Sequence, residues 1–175
     1  NGDQPRWSNA LPSSRYGLDV PTAPPRAVRR SEIDSFRRDG VVMLPGMFDH
    51  VWIELLRRGM DRHLGDPTER ARIWDRDEHD RVMLWDSMAW QGVPEYEQFV
   101  RASPAAEIAG RVMGSEEVHF YFDAVFVRSA GSQFQTPWHR DEPYWSVEGH
   151  DTCTLWMPLV PVKAANALAF VPGSH

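Results

Sequence analysis

The stretch Gln135-Thr136-Pro137-Trp138-His139-Arg140-Asp141-Glu142-Pro143-Tyr144-Trp145 is the most chemically loaded part of this 175-residue chain. Read as extended backbone, residues two apart share a face, so His139 and Asp141 project together while Arg140 projects away. A neutral imidazole and a carboxylate on one face supply two of the three ligands of a facial iron(II) triad. Such a triad leaves metal positions open for oxygen chemistry, and the carboxylate offsets part of the Fe²⁺ charge. Alone, the same residues more often describe a surface histidine beside an aspartate in a turn.

Around this stretch the pattern is strand-like. Val118 to Arg128, Thr152 to Val162 and Ala167 to Val171 are apolar runs separated by Gly, Pro and Asn turns. Upstream the signals are helical. Ser31 reads as an N-cap with Asp34 three residues on, Ile33 and Phe36 give a short apolar face, and Gly40 stops the helix. Val41-Val42-Met43-Leu44, cut off by Pro45-Gly46, reads as a short strand. Asp49 caps a second helix whose apolar face is Trp52, Leu55, Leu56, Met60 and Leu64, ending at Gly65. Residues 66–81 mix charges with little apolar content and read as a solvated loop. Ser103-Pro104 opens a further helix that Gly114 closes. Residues 1–30, broken by Pro5, Pro12, Pro21, Pro24 and Pro25, read as an extended arm. Residues 31–175 then form one domain, a helical layer over 31–117 followed by strands over 118–175. Helices first and strands afterwards is an α+β layout.

Composition narrows the function. Hydrophobic residues at 42% and charged residues at 25% are globular values, which excludes a wholly disordered chain. A net charge of −6 opposes nucleic-acid binding, whose footprint is basic. No apolar run approaches a membrane span and no signal peptide opens the chain. Cys153 stands alone and cannot form an internal disulfide, so the expected setting is soluble and cytoplasmic. The chain opens on Asn1 rather than Met and stops at a turn, so further sequence is expected beyond His175.

Several segments resemble the phytanoyl-CoA dioxygenase family of iron(II)/2-oxoglutarate oxygenases. Thr136 to Asp141 with Pro143-Tyr144-Trp145 looks like its metal-binding strand. Leu155-Trp156-Met157-Pro158-Leu159 and Ala167 to His175 resemble the two segments that follow it. Phe36 to Gly46 resembles the family's opening helix and strand. The resemblance implies a double-stranded β-helix, or jelly-roll barrel, with supporting helices outside and His139 and Asp141 as iron ligands pointing to its interior. It implies 2-oxoglutarate and O₂ as cosubstrates and a small organic substrate whose C–H bond is hydroxylated as succinate and CO₂ leave. Trp156 sits where relatives place a tryptophan near 2-oxoglutarate, though a buried core aromatic fits equally. Arg128 stands where relatives carry a Lys before a Pro-Gly-Ser loop and would face the anionic cosubstrate; a solvated strand-end arginine is the competing reading. Arg81 is a second candidate cation. The family's halogenases lack the carboxylate that Asp141 supplies, which favours hydroxylation or desaturation.

In relatives a third iron ligand, a histidine, and an arginine for the cosubstrate follow later than Pro172-Gly173-Ser174-His175. His175 is therefore read as a turn residue, and both groups are expected beyond it. His119 reads as a possible core histidine; His50, His63, His79 and His150 read as surface residues without a role. Two other readings remain: a relative that binds a small molecule without turnover, and a zinc hydrolase, since Zn²⁺ also accepts His and Asp. No Gly-x-Ser-x-Gly elbow or phosphate-binding glycine loop appears.

Overall fold

A computed structural model describes residues 20–79, 82–132, 134–149 and 151–175. Its helices are α1 (Arg30–Asp39), α2 (His50–Gly65), α3 (Pro94–Ala102) and α4 (Ala105–Met113). Its strands are β1 (Arg72–Arg76), β2 (Val82–Ser87) and β3 (Ala124–Arg128), forming one antiparallel sheet in the order β1-β2-β3. The expected α+β character is present. The expected closed jelly-roll barrel is not: the sheet is open and has three strands among the described residues.

The reason lies in what strands require. Each N–H and C=O needs a partner, and a lone extended segment has none. Only 124–128 of the apolar run 118–128 finds one, pairing Val125 with Asp86 and Arg128 with Met83. Residues 152–162 and 167–171 run without ladder pairing, and Leu155, Val160, Leu168 and Phe170 stay exposed. Val41–Leu44 is likewise irregular rather than a strand. Conversely, the supposed loop 66–81 supplies β1, which pairs with β2 from Arg72 opposite Trp85 to Arg76 opposite Val82. A neighbour made that charged segment a strand.

The helices follow local signals more closely. Asp49 caps α2 as expected, its Oδ1 accepting the Val51 N–H at 3.0 Å. Gly40 closes α1 at φ 75°, a left-handed position that glycine adopts without steric cost. Helix α1 nevertheless begins at Arg30, where the Glu32 carboxylate accepts the Arg29 N–H at 2.8 Å. Helix α3, opened by Pro94 at its first turn, had no counterpart in the sequence reading.

Helix α2 lies against α3, and α1 against α4. At Gly59 a methyl group would meet the Tyr96 ring at 2.7 Å, so the glycine permits the close approach of α2 and α3. One core cluster gathers Leu56, Ala89, Val93, Tyr96 and Val125; a second gathers Val20, Trp52 and Leu55. Trp52 is completely buried, donates its indole N–H to Pro21 O at 2.9 Å and meets Phe99 edge-on. The described part of the supposed arm is thus fastened to the core at Val20 and Pro21. The irregular C-terminal stretch is fastened too. Arg57 donates to Leu159 O at 2.7 Å, and the Gly173 N–H donates to Asp39 O at 2.9 Å.

Candidate metal centre

His139 and Asp141 do meet, although not on a strand. Residues 134–141 are irregular, and Asp141 precedes a single 3-10 turn over Glu142–Tyr144 that Pro143 helps to set. The Tyr144 N–H closes this turn on Asp141 O at 2.8 Å. Tyr121, from the segment before β3, holds the far side: its hydroxyl accepts the Ser146 N–H at 3.0 Å, and its ring meets Trp145 edge-on. His139 Nε2 lies 3.2 Å from Asp141 Oδ1, with the two side chains 44% and 51% exposed. The expectation that they point into a barrel interior is therefore overturned along with the barrel.

The proton on His139 has a defined place. Nδ1 lies 2.7 Å from Pro137 O, and a carbonyl oxygen can only accept, so Nδ1 carries the hydrogen. In a neutral ring that leaves the Nε2 lone pair facing a carboxylate oxygen. Two acceptors placed so close, both open to solvent, can share one bound cation. A backbone carbonyl on the distal nitrogen is also the usual support of a metal-binding imidazole. Donors about 2.1 Å from one metal and at right angles stand about 3.0 Å apart, near the observed spacing. That spacing suits two adjacent ligands of one divalent metal ion. Among the described residues no third His, Cys, Asp or Glu joins it.

The other candidates divide. Arg128, at the end of β3, places its guanidinium over the Phe134 ring at 5.8 Å and approaches Thr136 Oγ1 at 3.5 Å, three residues before His139. Trp156 is neither on a strand nor in the core; it is half-exposed in the irregular stretch after residue 150. Arg81 and His150 lie outside the described residues. His175 packs its ring against Gly40 at the end of α1. His119 is exposed, contrary to a core position. Beside the His139–Asp141 pair, Arg140, Glu142, Trp145 and Glu148 line a shallow open depression.

Sequence reasoning missed a buried His–Asp pair. His63 is fully buried on α2 and lies 2.7 Å from Asp86 Oδ2 on β2. Asp86 also accepts the Thr68 hydroxyl at 2.7 Å and the Thr68 N–H at 3.1 Å. Burial opposes ionisation of Asp86, but the bonds from His63 and Thr68 outweigh it and hold its pKa below the usual value. The one available signal was helical phase: His63 takes the inward position where Leu64 was expected, and Leu64 is exposed.

The comparisons with known proteins agree with the motif evidence. The chain matches the phytanoyl-CoA dioxygenase (PhyH) family over residues 36–175 and belongs to that family. No curated protein and no solved structure matches it. No helix among the described residues is long and apolar enough to cross a membrane.

Proposed function

We propose that this protein is an iron(II)/2-oxoglutarate-dependent oxygenase that hydroxylates a C–H bond of a small organic substrate. The observation that carries the reading is the convergence of the His139 Nε2 lone pair and Asp141 Oδ1, with the imidazole proton committed to Pro137 O. Family membership supports it.

In this reading His139 and Asp141 hold the iron, which, when bound with 2-oxoglutarate and O₂, supplies the oxidising power for C–H cleavage. Pro137 O fixes the tautomer of His139 and aims Nε2 at the ion. Asp141, anchored by the 3-10 turn behind it, offsets one of the two metal charges. Arg128 offers a fixed positive charge to a carboxylate of 2-oxoglutarate, its planar fork suited to bidentate binding. Trp156 offers an apolar wall to the same cosubstrate. Trp145 lines the neighbouring depression and favours a substrate with a flat or apolar portion.

The test is succinate formation from 2-oxoglutarate by the native gene product loaded anaerobically with Fe(II) and then exposed to air. Turnover that is lost in both His139→Ala and Asp141→Ala is the expected result. Full turnover in either variant overturns the assignment. Binding of 2-oxoglutarate with no succinate would identify a silent binding protein instead, and iron-independent hydrolysis with Zn²⁺ would identify a hydrolase.

A further inference from the structure

Asp123 immediately precedes β3 and braces a strained turn. Met88, just after β2, has φ 56°, the only left-handed residue other than glycine among those described. Its N–H donates to Asp123 O at 3.0 Å, and the Trp90 N–H donates to Asp123 Oδ2 at 3.1 Å. The turn and the following 3-10 segment, Ala89–Gln91, therefore hang on one aspartate. The other carboxyl oxygen, Oδ1, is buried and has no partner.

The charged surroundings come from every neighbouring element. Asp86 on β2 is held as a carboxylate by three donors and repels a second negative charge. His63 on α2 attracts one but is already engaged by Asp86. Tyr96 on α3 directs its hydroxyl to Met60 Sδ, and Arg101 stacks over the Trp90 ring at 5.4 Å. A buried carboxylate held only by the Trp90 N–H and its own N–H, with one bare oxygen and a second carboxylate acting on it, is the costly arrangement; the neutral acid is the cheaper one.

We propose that the protonated form of Asp123 is the one that braces the turn at Met88, and that its ionisation as pH rises loosens that turn. Burial raises its pKa most and Asp86 adds to that, while the Trp90 N–H, its own N–H and His63 oppose them, leaving it raised overall. The sign follows: a group whose pKa is raised by folding contributes its full stability below the ordinary value and loses it as pH rises through the folded value. Asp86 has the opposite sign. The two aspartates thus bracket a pH window in which the brace is tightest.

Two measurements test this. In the unmodified protein, the ¹³C carboxyl resonance of Asp123 should titrate with a midpoint above the ordinary aspartate value of about 3.9. A midpoint at or below that value overturns the proposal. Amide-exchange protection of residues 88–91, measured against Asp123→Asn at each pH, should fall in the wild type by up to about tenfold per pH unit above that midpoint. Equal protection in the two proteins at every pH would likewise overturn it. The carboxyl titration stands on its own should Asp123→Asn fail to fold.

Discussion

Two of the His–Asp pairs among the described residues carry their protons on opposite nitrogens. His63 and Asp86 are 23 residues apart in sequence, 2.7 Å apart in space, and 2% and 0% exposed. His139 and Asp141 are two apart, 3.2 Å apart, and about half exposed. In the buried pair Nε2–H donates to the carboxylate and Nδ1 has no partner, so the proton joins the two residues. In the exposed pair Nδ1–H donates to Pro137 O, and Nε2 is left to face the carboxylate with a free lone pair. The first is a closed polar clamp between α2 and β2. The second has the donor arrangement that invites a cation. Residue type and distance scarcely distinguish the pairs; proton placement and solvent access do.

The largest effect should come from breaking the clamp. His63→Ala or Asp86→Ala leaves an uncompensated buried group and should lower unfolding free energy by about 3–5 kcal/mol, measured by urea denaturation. Next, Thr68→Val removes the hydroxyl donor to Asp86 Oδ1 while keeping the volume, and should cost about 1.5–3 kcal/mol. The clamp also carries a pH signature. Because the pKa of Asp86 is depressed, its contribution is complete above about 3.9 and fades as pH falls through the lower folded value. Asp86→Asn should lack that acid-side slope in a series of denaturation curves from pH 5 to 2. The smallest effect belongs to the exposed pair: without metal, His139→Ala should change stability by no more than about 1 kcal/mol.

The same contrast explains what the sequence revealed. Helix α2 was legible because its cap Asp49 and its apolar residues Trp52, Leu55 and Leu56 lie within one local segment. The His139–Asp141 pair was legible because a spacing of two brings side chains together in several backbone conformations, including the irregular one found here. The barrel expected from the apolar runs is absent among the described residues, because 152–162 and 167–171 become strands only beside a partner and find none. Strand β1 was hidden for the converse reason: its pairing to β2 outweighs its charged composition. His63 was dismissed because a partner from β2 cannot be read from helical periodicity, only the inward phase that it occupies. Asp123 gave no local signal at all; its importance arises from Met88 and Trp90, more than thirty residues earlier.

The most direct test exchanges the two pairs in one experiment. His139→Ala and His63→Ala would be compared in the native gene product for both denaturation midpoint and iron-dependent succinate release from 2-oxoglutarate. The expected result is a double separation: His139→Ala keeps the wild-type midpoint and loses turnover, while His63→Ala lowers the midpoint and retains turnover at temperatures where it remains folded. Turnover that survives His139→Ala but vanishes in folded His63→Ala would contradict it, placing the chemistry at the buried pair.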